Sequence, residues 1–189
     1  LVVGLTACAG RTPPAAEGDA SLPGVEFTGP WAAEFSASYA RASDDFSRKA
    51  IGDGSISEQE YSEMIDRFRG CVSGFGYDIG EYKLDGSFTL TFPPETSADI
   101  ANKNVDACSR QSGEAEIGSL YSWTHRNPDR SNEDSLIVEC LVAKAVVPST
   151  YSTSDYANDS SRNEFPFADE ESGGEVLERC RIDPLGEQS

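Results

Sequence analysis

Apolar residues return along this chain in two rhythms. Between Thr28 and Ile51 the sequence reads "TGPWAAEFSASYARASDDFSRKAI", and Trp31, Phe35, Tyr39 and Phe46 recur at intervals of four and seven. That spacing marks one face of a helix and predicts a single long one here, with Pro30 suited to its first turn. Rings at this spacing are core material rather than a cofactor box. A second stripe, Tyr61, Met64, Ile65, Phe68 and Val72, predicts another helix ending near Gly74. The connection between the two is short, so they should pair as an antiparallel αα-hairpin.

The rhythm then changes. In "EYKLDGSFTLTFPP", Tyr82 and Leu84 alternate with charged residues, and Phe88, Leu90 and Phe92 alternate with small polar ones, around an Asp-Gly turn. This predicts a β-hairpin. A two-residue loop would put the two apolar sets on opposite faces, so an odd loop, Asp85-Gly86-Ser87, is expected. After Pro93-Pro94 the helical period resumes from Glu95 to Trp123, with a break at Gly113. "RNPDR" reads as a turn, and "NEDSLIVECLVAKAVV" as a helix with Leu136, Ile137, Cys140 and Leu141 inside. "YANDSSRNEFPFADEESGG" reads as irregular surface, and "EVLERCRIDPLGEQS" as a short helix held by Cys180. The expected fold is α+β and mostly helical.

"IGDGSISEQEY", Ile51 to Tyr61, resembles the back half of a calcium-binding loop, with Asp53, Gly54, Ile56 and Glu60 in place. The first and third ligand positions then fall on Lys49 and Ile51, a cation and an alkyl group where carboxylates belong. The same residues form a helix start. Ser57 and Glu60 make a capping box, Ile56 and Tyr61 a hydrophobic staple, and Asp53-Gly54 the turn before them. "YSTSDY" at Tyr151–Tyr156 repeats the arrangement without an Asp-Gly, so the pattern belongs to helix initiation rather than to metal.

The first residues, "LVVGLTACAG", alter the picture of where the chain works. A small-residue run into Leu5-Thr6-Ala7-Cys8 has the form of a lipobox at the end of a secretory signal, whose cysteine thiol receives a diacylglyceryl group. On this reading residues 1–7 are removed and Cys8 carries the membrane anchor. Residues 8–27, rich in Pro, Gly and Ala, are a flexible linker, and 28–189 form one globular domain. Cys71, Cys108, Cys140 and Cys180 remain, an even number suited to an oxidising compartment. Four cysteines allow three connectivities. The helix-then-later-cysteine order occurs twice at similar spacing, which favours Cys71–Cys108 and Cys140–Cys180. The spacing offers no C-x-x-C pair for zinc.

A formal charge of -18 with a sequence pI near 4.2 repels phosphate backbones, which argues against direct nucleic-acid binding. The expected partners are therefore the membrane, through Cys8, and an envelope protein or small solute. Motifs for nucleotide binding or an α/β-hydrolase nucleophile are missing. The single histidine, His125, belongs to a helix C-terminus, where imidazolium suits the dipole. With 33 acidic residues, the sequence cannot single out a catalytic carboxylate pair. Asp169-Glu170-Glu171 and the surroundings of Asp159 read as solvated acidic loop. No catalytic residue, metal ligand or cofactor is assigned.

Taken together, the lipobox, the Pro/Ala linker, "W..EF...Y..A..DF", "DGSISEQEY", "RGCV...GY", "DACS", "SLY", "VECLVAKAVVPSTYSTSDY" and "ERCRIDPLG" resemble uncharacterised secreted lipoproteins of actinobacteria. The resemblance spans most of residues 28–185. It implies extracytoplasmic location and paired cysteines, and no activity. One departure is Lys144-Ala145, where a glycine is expected after the cysteine-bearing helix. The leading expectation is a non-enzymatic, lipid-anchored binding module. The alternatives are a small hydrolase using paired carboxylates and a calcium-dependent module.

Overall fold

The computed structural model describes residues 25–186; Cys8, the lipobox and most of the linker lie outside them. Helices α1 (Ala32–Arg41), α2 (Asp45–Ile51) and α3 (Glu58–Ser73) lead into strands β1 (Asp78–Tyr82) and β2 (Phe88–Thr91). Helix α4 (Ala98–Ser112), a π-turn (Glu114–Gly118), α5 (Ser119–Arg126), α6 (Glu133–Ala143), α7 (Thr153–Arg162) and α8 (Glu170–Ile182) complete the chain. The fold is α+β and mostly helical, as the apolar rhythm implies.

The expected long first helix is two helices. Ala42 leaves helical geometry, and Asp44 starts a new helix by accepting a hydrogen bond from the Ser47 amide. An N-cap aspartate satisfies an otherwise orphaned amide, and this local gain outweighs continuity of the stripe. The expected αα-hairpin is loose: α2 and α3 share an apolar cluster, and the Arg67 guanidinium of α3 lies 3.9 Å from the ring centre of Phe46, but the helix that packs most extensively along α3 is α4. The turn between the arms begins the second as expected. Ser57 and Glu60 form a capping box, and Asp53 accepts from the Ser55 amide at 3.1 Å, so both of its candidate metal-loop carboxylates serve local backbone.

The hairpin differs from expectation in register. β1 starts earlier, at Asp78, and the loop is the five residues Lys83–Ser87, closed by Lys83 N to Ser87 O at 2.9 Å. The pairing slips between Ile79↔Leu90 and Tyr82↔Phe88, the local irregularity of a bulge that bends a strand. Consequently Leu84 does not join Phe88, Leu90 and Phe92. It packs with α1–α3 and α5, while they cover α3 and α4. The expected Glu95–Trp123 helix does break at Gly113, whose φ is +79°. A β-carbon there would sit 2.3 Å from Ser47 Oγ, so glycine is required by both backbone and space.

Two further corrections fall in the C-terminal third. The segment expected to be irregular holds α7, started by a second capping box, Ser152 with Asp155, and anchored by buried Tyr156. Helix α8 starts at Glu170, through Gly173 and Gly174, with Asp169 as its N-cap. Helix α6 ends where a glycine was expected: Ala145 holds φ +56°, and its amide donates to Val142 O at 3.0 Å.

Three apolar clusters fill the interior. Phe35, Ile51, Met64, Ile117 and Leu120 join α1–α3 to the π-turn and α5. Phe68, Val72, Tyr77 and Ala101 seat the hairpin against α3 and α4. Ile137, Leu141, Tyr156, Val176 and Leu177 unite α6–α8. Disulfides secure the second and third clusters, Cys71–Cys108 and Cys140–Cys180, with Cα–Cα distances of 5.5 and 5.8 Å. Both pairings are those the sequence favours. Arg126 joins the third cluster to the rest, its Nε donating to Ile182 O at 2.9 Å and its Nη2 pairing with Glu133.

Candidate binding groove

Helix α8 and the segment before it enclose a cleft of about 440 Å³ lined by Asn163, Glu164, Phe165, Phe167, Glu170, Gly174, Leu177 and Arg181. That volume falls within the range of ligand pockets. Its floor follows from helical geometry: Glu170, Gly174, Leu177 and Arg181 are spaced four, three and four apart, so they share one face of α8. Its wall follows from the return of the chain after α7. Asn163, with φ +53°, caps α7 and turns the backbone, and Phe165 and Phe167 then stack with ring centres 5.3 Å apart. The wall runs against the helix direction, since Phe165 lies 5.6 Å from the Arg181 guanidinium and Phe167 packs on Gly173.

The charges of the groove are separated. Glu170 stands in the first turn of α8 and Arg181 in the last. Over that stretch the helix rises about 16 Å. Arg181 donates from Nε to the Tyr156 hydroxyl at 3.2 Å and lies over two rings. No ion pair joins it to a carboxylate among the described residues, whereas Glu164 is paired with Arg162 at 3.7 Å. Glu170 and Arg181 each suit the helix dipole at their own end; the dipole alone requires neither a groove nor rings.

The remaining candidate residues serve structure where they are placed. Asp169 caps α8, and Asp159 accepts from the Tyr151 hydroxyl at 2.9 Å and pairs with Arg162. Burial, then the Asp159 hydrogen bond and charge, push the Tyr151 phenol upward. Among the described residues no cluster of three or more His, Cys, Asp or Glu is placed to hold a metal ion. His125 is in the last turn of α5, as expected. Its Nδ1 donates to Tyr121 O at 2.9 Å, the side on which a triad would place a carboxylate. Its ring stacks on Tyr121 at 3.7 Å, and Tyr121 on Tyr61 at 3.8 Å.

A polar joint ties three elements together at Glu114 of the π-turn, whose two carboxylate oxygens accept from Tyr82 of β1 and Ser109 of α4. Burial, and secondarily the charge and hydrogen bond of Glu114, raise the Tyr82 phenol far above its ordinary value. With both oxygens engaged, Glu114 is a fastening.

Of the groove residues the sequence singles out only Glu170, as part of an acidic cluster that reads as solvated loop. Phe165 and Phe167 fall in a stretch that looks irregular, and the wall forms only because α7 precedes it. The one available signal was the period of Glu170, Gly174, Leu177 and Arg181. Compared with known families, curated proteins and solved structures, the chain matches none. Among the described residues no helix is long and apolar enough to cross a membrane.

Proposed function

We propose that this chain is a non-enzymatic binding module held at the extracytoplasmic face of the cell membrane by a lipid on Cys8, and that its ligand enters the α8 groove. The groove is the observation that carries the binding reading: two rings, the Leu177 side chain and a cation without a carboxylate partner among the described residues, presented together in one concavity. The two disulfides support an oxidising compartment. The acidic surface supports an envelope protein or a small solute over nucleic acid as the partner.

The test has two arms. Amide chemical shifts of the ¹⁵N-labelled domain, followed through a set of solutes and peptides, should move at residues 163–181 for at least one of them. A set that leaves those amides still would remove the groove as the ligand site. In cells, the wild-type chain should sediment with membranes and a Cys8→Ala variant should not. Equal release of both would remove the anchor.

A second reading, a hydrolase using paired carboxylates, draws on Glu164 and Glu170 lining the same groove. Against it, Glu164 is already engaged by Arg162 in an ion pair at 3.7 Å. Turnover of a glycoside or ester that is lost in Glu170→Gln would reverse the preference.

A further inference from the structure

The three apolar clusters divide the domain in two. The first and second are built from residues before α6, apart from Ile182, which reaches back against the first; the third is built from α6 onward. Each disulfide lies inside one part: Cys71–Cys108 joins α3 to α4, and Cys140–Cys180 joins α6 to α8. Every extensive pairing of helices and strands also stays within one part. The boundary is thus crossed without a shared core. Arg126 supplies a polar hold in its place. It stands in the last turn of α5 with its side chain 15% exposed. Its Nε donates to Ile182 O at 2.9 Å and its Nη2 to Arg181 O at 2.5 Å, and Nη2 also pairs with Glu133. The two carbonyls end α8, where backbone acceptors lack helical partners, and Glu133 begins α6. One guanidinium therefore fixes an end of both helices that flank the boundary, through the forked donors that a lysine lacks. Lys83 and Glu178 pair across the same boundary at 3.4 Å, but both side chains are exposed, and such a pair contributes little.

The chain crosses at the turn after α5, and that turn is fastened to the first part. Trp31 Nε1 donates to Asn127 O at 2.9 Å, Arg130 donates to Pro30 O at 3.1 Å and pairs with Glu34, and Asn127 Oδ1 accepts from the Ser131 amide at 2.7 Å. The first place left for the backbone to turn is the step from Ser131 to Asn132. We infer that α6–α8 is a separately mobile unit, pivoting at Ser131–Asn132 and latched against the rest of the domain by Arg126. Parts of one chain that meet through polar contacts move relative to one another by default, and the latch opposes that motion. The groove lies wholly within the mobile unit, so release reorients it and leaves its shape intact. Arg181 connects the two: its side chain lines the groove and its carbonyl is held by the latch. The inference stands apart from the identity of any ligand.

The experiment measures residual dipolar couplings of the backbone amides in the full chain with both disulfides formed. In wild type one alignment should describe α1–α5 and α6–α8 together. In Arg126→Gln the couplings of each part should still fit its own helices, while the two parts require different alignments. Glu133→Gln changes a side chain that is 52% exposed and removes one of the three acceptors, so there the alignments should separate to a smaller extent. That variant decides the matter if Arg126→Gln does not fold. Molar salt, which screens the exposed Lys83–Glu178 pair, should leave wild type with a single alignment. A common alignment in folded Arg126→Gln, or in Glu133→Gln where the first does not fold, would overturn the inference. So would a wild type that already needs two alignments, or one that separates in salt. Loss of the α6–α8 couplings themselves in Glu133→Gln would overturn it too, because the guanidinium would then keep that unit folded rather than in place.

Discussion

Phe167 lies against the backbone of Gly173, so close that a β-carbon on Gly173 would sit 2.3 Å from the ring's Cγ. A β-carbon on the next residue, Gly174, would meet nothing within 4 Å. Two adjacent glycines of one helix should therefore respond oppositely to the same substitution. Gly173→Ala gains helix propensity but expels Phe167 from the groove wall, an overpacking cost of about 1–3 kcal/mol. Gly174→Ala meets nothing and should stabilise by up to about 1 kcal/mol. Urea unfolding of the two variants checks the signs, and equal shifts would mean that Phe167 is not seated there.

Ala145 carries a left-handed backbone at the end of α6, a conformation that costs an L-residue with a β-carbon about 1–2 kcal/mol and glycine almost nothing. Ala145→Gly should raise stability by about 1 kcal/mol, read as a higher urea midpoint with an unchanged slope.

Three helix starts make the domain sensitive to acid. Burial pushes the Asp44 carboxyl upward, but hydrogen bonds from the Ser47 hydroxyl and amide and the Phe46 amide, with the Arg67 charge, outweigh it and hold the group below its ordinary value. Asp155 and Asp169 are lowered by the side chains and amides of Ser152 and Ser172. A carboxyl whose folded pKa is depressed adds stability that is complete above the unfolded value of 3.8 and is lost as pH falls through the folded value. The advantage of wild type over Ser172→Ala should thus be full at neutral pH and shrink steadily in acid. An advantage independent of pH would show that Asp169 draws nothing from the Ser172 hydroxyl.

At the alkaline end the tyrosines act in the opposite sense. Burial, first of all, raises the phenols of Tyr61, Tyr82 and Tyr151 above their ordinary value of 10.0. Groups raised on folding stabilise below the unfolded pKa, and that contribution is lost as pH rises beyond it. The phenolate absorbance of these three should therefore develop only together with loss of structure, as read in their Tyr→Phe variants. A single smooth titration preceding unfolding would contradict their burial.

The disulfides close loops of sequence separation 37 and 40, each restricting the unfolded chain by about 4 kcal/mol on the loop-entropy account. Replacing Cys140 and Cys180 together by serine should accelerate amide exchange chiefly in α6–α8. Replacing Cys71 and Cys108 should do so in α3, α4 and the hairpin. Uniform acceleration in both variants would show that the three clusters unfold as one unit.

What could be foreseen from the residues had local causes. Ser57 with Glu60 specifies a helix start within four residues, Gly113 marks a required left-handed turn, and the repeated order of helix and cysteine favours one pairing. What escaped depended on competition or on distance. The stripe from Trp31 to Phe46 runs straight through Ala42–Asp44, and only the capping strength of Asp44 reveals the break. The capping box at Ser152 was recognised, yet the polar run behind it obscured α7, which is held by Tyr156 and little else apolar. The groove was least visible, because Phe165 and Arg181 meet only after α7, the returning segment and α8 have all taken their places.

The Cys140–Cys180 bond encircles the groove in the covalent sense. The wall from Asn163 to Phe167 and most of the floor lie between the two sulfurs along the chain, with Arg181 immediately beyond. A protease that cuts the exposed turn near Pro166 would leave both fragments joined through sulfur, migrating as one species until a reductant is added. Cleavage would then open one side of the trough without releasing either half, so a nicked population would persist with its mass nearly unchanged.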